Sequence, residues 1–307
     1  MFVLREIAVA LTFFVLVYGC LSLIVLASWR GLRRLRCSEK TLAEILFLAR
    51  VLPMFASIIF TGVFVIPSFQ LLEPRATPEG IGKLPVVFGV VAISLVAFAF
   101  HRVFRAQTGT TRIVARWLKS ARLLGSDLYG VSRHDVPPLT IVGLRKPHVL
   151  ISDLALRLLT ENEMGIALRH ERAHIHSRDN LKKLIFRFCA FPGMGRLETA
   201  WAEASELAAD YAAVSNASDA VDLATALVKL SRLVPIKPAP VCTVGFITGS
   251  VSIRVARLLK WDEATRQPSR PPRWAAISML LATVIGVALT YGPILVITHD
   301  LTELLVR

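Results

Sequence analysis

The chain has 307 residues, 54% of them hydrophobic, with a mean hydropathy of +0.57 and a formal net charge of +14. Soluble domains are about 45–50% apolar, so the composition sets an ordinary soluble domain aside in favour of a membrane protein. In so apolar a chain the basic surplus fits segments facing anionic lipid better than nucleic acid. The scattered Cys20, Cys37, Cys189 and Cys242, with no CxxC pair, argue against a disulfide framework.

Four apolar stretches are predicted to span a bilayer: residues 7–29, 51–72, 84–100 and 274–298. Each is near the roughly 17–25 residues a span needs, the third only just. The first is too long for the apolar core of a cleaved signal peptide. It is followed by WRGLRR, where a cleavage site would need small residues. Basic segments flank the spans: Arg30, Arg33, Arg34, Arg36 and Lys40 after the first, HRVFRAQTGTTRIVARWLK (101–119) after the third, RQPSRPPR (266–273) before the fourth. Basic loops stay in the cytoplasm. The expected topology places both termini outside, in a bacterial-type inner or plasma membrane. It divides the chain into three spans (1–100), a cytoplasmic block (101–273), and a fourth span with a short external tail (274–307). No repeat and no low-complexity tract is evident.

The cytoplasmic block reads as mostly helical. PPLTIVGLRKPHVLIS (137–152) has β-branched runs around Gly143 and Pro147 and predicts a small hairpin or edge strand. Apolar residues recur at helical spacing over 153–177, and Thr160 with Glu163 fits a capping box, so a helix starts there. Further helices are predicted over 181–191, 196–214, 219–234 and near 251–261, with a loop at 235–246.

Within that helix lies HERAHIHSRDN (170–180), which holds three of the chain's seven histidines. His170, Glu171 and His174 form HExxH. Four residues turn a helix by about 400°, so the two histidines stack on one face and can bind one metal ion. Glu171 is then placed to act as general base. His176 falls on the far side and reads as a surface histidine. The bare string arises by chance about once in a hundred such chains, so context must decide. A zinc peptidase needs a third protein ligand and an open fourth position. The helix over 196–214 offers Glu198, Glu203 and Glu206, with Asp210. Glu206 and Asp210 are four apart on one face, and Glu203 also shares it; the spacing does not choose between the glutamates.

HExxH followed some thirty residues later by ExxxD resembles the gluzincin membrane peptidases, and most closely the BlaR/MecR-type antirepressor peptidase family. The likeness rests on PPLTIVGLRKPHVLIS, on ALRHERAHIHSRDN, on Trp201…ELAADYAAV, and on the four-span layout. It covers most of residues 137–260 in order. It implies a mainly α, polytopic membrane protein carrying a cytoplasmic gluzincin-like zinc-peptidase domain. His170, His174 and Glu206 would bind one zinc ion, Glu171 would be the catalytic base, and Asp210 would hold a ligand histidine in orientation. The substrate would be a protein, typically a transcriptional repressor. The segment His148, Val149, Leu150, Ile151 and Ser152 would be the edge strand that pairs with it.

Members of that family that sense β-lactams carry a large external domain after the fourth span; only HDLTELLVR follows here. The expected signal therefore arrives through the spans, a separate sensor protein, or the bilayer itself. Arg172 between the metal histidines is tolerated, since those positions need no particular chemistry. Arg254 reads as a salt-bridged or lipid-facing residue and Tyr211 as a packing residue rather than as donors to an oxyanion or tetrahedral intermediate, and direct nucleic-acid binding is not expected. Three alternatives stand beside the repressor-cleaving protease: an HtpX-like quality-control protease, a non-catalytic membrane transducer with a structural metal, and a basic nucleic-acid- or lipid-binding membrane protein without metal.

Overall fold

A computed structural model describes residues 2–35, 37–73, 81–125, 128–132, 136–144, 146–233, 244–245, 250–261 and 273–306, with backbone alone for 244–245, 273–285 and 305–306. The chain is mainly helical. In order it forms α1 (Phe2–Leu32), α2 (Glu39–Phe60), a π-helical turn (Thr61–Val65), α3 (Ile66–Leu72), α4 (Lys83–Leu118), β1 (Ala121–Leu123), β2 (Leu128–Val131), β3 (Leu139–Val142), β4 (His148–Ser152), α5 (Asp153–Leu158), α6 (Glu161–Ser177), α7 (Asp179–Phe188), α8 (Gly195–Ala213), α9 (Ala217–Ser231), β5 (Val244–Gly245), α10 (Val251–Leu258) and α11 (Arg273–Val306). It divides into two compact units.

The first unit comprises Met1–Ser28, Ala49–Ala99 and Ser269–Arg307. Phe2–Leu32, Glu39–Leu72 and Lys83–Leu118 are long and apolar enough to cross a membrane. They contain the first three predicted spans and run beyond each. Large apolar side chains such as Leu23, Ile24, Leu52, Ile59, Val87 and Val90 stand exposed on them, as a lipid-facing surface requires. The fourth predicted span, 274–298, falls in α11, where the side chains of 273–285 lie outside the described residues. Further along, Tyr291 stacks obliquely on Phe64 with centroids 5.5 Å apart, and Ser68 donates to the Leu295 carbonyl at 3.0 Å. Val9, Phe13, Val65 and Phe69 bury one another.

The second unit comprises Trp29–Leu48 and Phe100–Pro268. The unit takes in the stretch read as a basic connector. The sheet order is β1-β2-β4-β3-β5. β3 and β4 form the predicted hairpin. Gly143 turns it at φ +97°, where a Cβ would meet the Lys146 carbonyl oxygen at 2.5 Å, so glycine is required there.

β4 is not an edge strand. It pairs antiparallel with β3 on one side and parallel with β2 on the other. Val149 through Ile151 have a partner on both sides, so the middle of the strand is not open to an incoming chain. Val149 through Ser152 are all buried, as expected for a strand covered on both faces. Among the described residues, the outer strands are β1 and the two-residue β5.

The core lies between the sheet and the helices. Leu139, Ile141, Val149 and Ile151 pack with Ile166 and Ala167 of α6 and with Leu223, Leu227 and Leu230 of α9. Trp201 of α8 meets Phe186 of α7 edge-on, with centroids 4.9 Å apart. The HExxH helix is thus held by the sheet, α8 and α9.

Candidate metal centre

The start of α6 is set by its cap. Thr160 Oγ1 accepts from the Glu163 amide at 3.3 Å, and Glu163 Oε2 accepts from the Thr160 amide at 2.8 Å. Lys229 of α9 donates to the same carboxylate at 2.7 Å. From this start the helix turns His170, Glu171 and His174 inward, where all three are buried.

The two histidines converge. His170 Nε2 and His174 Nε2 are 3.1 Å apart. Each ring has a carboxylate behind it, and the one at His174 is a hydrogen bond. Asp210 Oδ1 lies 2.9 Å from His170 Nδ1, and Asp179 Oδ2 lies 2.6 Å from His174 Nδ1. A carboxylate behind Nδ1 keeps the proton there and leaves the Nε2 lone pair facing forward. Two such lone pairs at this separation repel unless a cation or a proton lies between them. Glu206 closes the group: its Oε2 is 3.7 Å from His170 Nε2, and its Oε1 is 3.7 Å from His174 Nε2. His170, His174 and Glu206 can hold a metal ion, with ligand atoms all within 4.8 Å of one another.

The charges agree with this donor set. Burial works against a charged His174, but the Glu206 carboxylate and the hydrogen bond to Asp179 outweigh it and raise its pKa to about 10. Burial also opposes charge on Glu206, yet the Arg254 guanidinium and His174 hold its carboxyl well below the usual range. Glu171 behaves oppositely: burial pushes its carboxyl up to about 7, against the pull of the two imidazoles. Neither of its oxygens has a hydrogen-bond partner among the described residues. It is a buried carboxylate with both acceptors uncommitted, beside the metal group.

A scan of protein-family models and a search of curated proteins give no match for this chain. The functional reading therefore rests on the residues themselves.

The structure chooses between the glutamates that spacing left open. Glu203 is exposed and pairs with Arg33 at 2.9 Å, whereas Glu206 is buried in the centre. His176 turns away, as expected, with Nδ1 2.9 Å from the Arg172 carbonyl. His148, Val149, Leu150, Ile151 and Ser152 lie in the middle of the sheet. Tyr211 lines a small pocket with Leu207, Asp210, Arg254, Arg257 and Leu258. Cys20, Cys37 and Cys189 are in no disulfide; Cys242 and His134 lie outside the described residues.

Two contributors were not assigned from the sequence. Arg254 of α10 is a salt-bridged residue, as read, but its partners are in the centre. Its Nε and Nη2 donate to Asp210 Oδ2 and Oδ1 at 2.7 and 2.6 Å, and its Nη1 donates to Glu206 Oε2 at 2.9 Å. The second is Asp179. Arg178 adopts a left-handed backbone (φ 54°) between α6 and α7, and this turn folds Asp179 back to His174. Asn180 next to it donates to the Ile141 and Gly143 carbonyls of the β3 hairpin at 3.4 and 3.2 Å. The DN of HSRDN thus ties a metal histidine and the sheet to one turn.

Proposed function

We propose that this chain is an integral membrane zinc endopeptidase. The observation that carries this is the pairing of Asp210 and Asp179 behind the two histidines, which aims both Nε2 atoms at Glu206 beside the unpartnered Glu171 carboxylate. Two imidazoles and one carboxylate suit zinc among the common divalent ions. Among the described residues the group has three protein donors rather than four, which favours a catalytic site over a structural one.

Zinc bound there supplies Lewis acidity, acidifying a water molecule and polarising a peptide carbonyl. Glu171 accepts the water proton on a carboxylate oxygen and returns it to the leaving amine nitrogen. Its buried carboxylate has no hydrogen-bond partner among the described residues, so both oxygens can take a proton. Asp210 and Asp179 would hold the imidazoles in the tautomer that turns each Nε2 lone pair towards the metal.

The basic segments at 29–40 and 101–119 favour a cytoplasmic metal domain. A protein substrate inside the cell follows, and the resemblance to antirepressor peptidases makes a transcriptional repressor our first choice over a damaged membrane protein. The test is paired: zinc content and proteolysis in membranes, for wild type and Glu171→Gln. The proposal expects about one zinc in both and cleavage by wild type alone, with a loss of at least about 10²–10⁴-fold in the variant. Equal output from both proteins would make the metal structural and the protein a transducer. Zinc in neither would remove the metal centre. Cleavage of a co-expressed repressor, against cleavage of misfolded membrane proteins, separates signalling from quality control.

A further inference from the structure

We propose that Arg254 is a positioning residue that makes Glu206 a one-oxygen ligand and so keeps a coordination position open. This rests on the reading of His170, His174 and Glu206 as a metal centre. A carboxylate can hold a cation through one oxygen or both. The two oxygens of Glu206 are not equivalent. Each lies 3.7 Å from one imidazole, Oε2 from His170 Nε2 and Oε1 from His174 Nε2, but Oε2 also accepts a hydrogen bond from Arg254 Nη1 at 2.9 Å. The guanidinium charge beside Oε2 disfavours a second cation on that atom, so the metal is directed to Oε1.

The guanidinium cannot easily yield. Asp210 grips it through two parallel hydrogen bonds at 2.7 and 2.6 Å, and the whole side chain is buried at 3% exposure. Glu206 and Asp210 stand one turn apart on α8, and one planar fork from α10 reaches both. A lysine has no such fork and cannot hold two carboxylates in fixed positions. Asp210 Oδ1 also lies 2.9 Å from His170 Nδ1, so Arg254 steadies one metal histidine through the same carboxylate. Two imidazoles and one carboxylate oxygen fill three positions of a tetrahedral zinc site and leave the fourth for chemistry. A two-oxygen Glu206 would crowd that position.

The test reads coordination, not activity. Full-length protein in detergent is stripped of metal and loaded with cobalt(II), whose visible absorption is several-fold stronger in four-coordinate than in five-coordinate sites. Wild type, Arg254→Lys and Arg254→Met are compared, with metal stoichiometry and far-ultraviolet circular dichroism. The expected result is one cobalt in each folded protein, strong absorption in wild type, and a several-fold weaker, five-coordinate spectrum in both variants. X-ray absorption of the zinc forms should show the same rise in coordination number. Tighter or weaker binding alone would not discriminate, since losing any partner of a ligand changes affinity by about 10–100-fold. Variants that bind one cobalt with the wild-type spectrum would overturn the proposal. So would folded variants that bind none, because Arg254 would then build the site rather than set its coordination. A five-coordinate wild type overturns it without any variant. Wild type that takes up neither cobalt nor zinc would instead refute the metal centre itself.

Discussion

Asp179 Oδ2 lies 2.6 Å from His174 Nδ1, and the same oxygen accepts the Ser205 hydroxyl at 2.6 Å. Asp179 is therefore fixed by α8 while it fixes a histidine of α6. Burial opposes charge on Asp179, but its bond to His174 holds the carboxyl below the usual range, so it is an anion at neutral pH. Asp179→Asn should weaken zinc binding by about 10–100-fold. Ser205→Ala should cost far less, because Asp179 and His174 still meet. Competition against a chromophoric chelator measures both. Unchanged affinity in Asp179→Asn would show that this carboxylate does not orient His174.

What the sequence revealed and what it hid follow from how local each feature is. HExxH and the Thr160–Glu163 box depend on spacing along one helix, and both stand where the periodicity put them. Glu206 and Asp210 share a helix face for the same reason. The choice of Glu206 over Glu203 depends on which way α8 turns towards α6, which spacing does not state. Asp179 was hidden because its approach needs a left-handed residue, and Arg178 carries none of the glycine or asparagine signal for that backbone. Arg254 reaches Glu206 across 48 positions of chain, a contact no local pattern encodes. β4 was taken for an edge because LYGV, the strand that covers its second side, is only four residues long.

The Glu163–Lys229 pair links the start of the HExxH helix to α9, at 2.7 Å. Burial opposes the charge on Glu163, and Lys229 with the Thr160 amide overcomes it, leaving the carboxyl lowered from 4.5. A lowered folded-state pKa stabilises the fold fully above the unfolded value and less as pH falls through the folded value. Lys229→Met should therefore destabilise by about 0.5–1 kcal/mol at neutral pH, given its partly exposed ammonium. The gap from wild type should close as pH drops below about 4.5. Thr160→Ala, which removes the cap, should cost about 0.5–2 kcal/mol. Denaturant unfolding across pH checks this; a gap that widens in acid would contradict the assignment.

Because β4 is central, its residues should report on folding rather than on substrate. Leu150 is fully buried between Trp117, Val131, Val136 and Val142. Leu150→Ala should cost about 2–5 kcal/mol. Once a substrate is in hand, the folded fraction should show an unchanged KM. Loss of affinity for substrate with unaltered stability would instead mean that this strand contacts the substrate.

Arg5 and Glu73 form an ion pair in the first unit, with Nη2 2.8 Å from Oε1 and side chains only 5% and 9% exposed. It joins the start of α1 to the residue that ends α3, and His299 of α11 approaches the second Glu73 oxygen at 3.9 Å. A charge buried in apolar surroundings is tolerated while its partner is present. Removing one member leaves the other uncompensated and typically costs about 3–5 kcal/mol, whereas replacing both with neutral groups of similar shape is often nearly neutral. Arg5→Met and Glu73→Gln should each lower the unfolding midpoint in detergent, and the double variant should recover most of the loss. The cycle isolates the pair because each substitution keeps the side chain's approximate volume. Additive losses would mean that the two charges are each stabilised elsewhere. Recovery would identify this pair as the clamp between the first helix and the end of the second apolar segment.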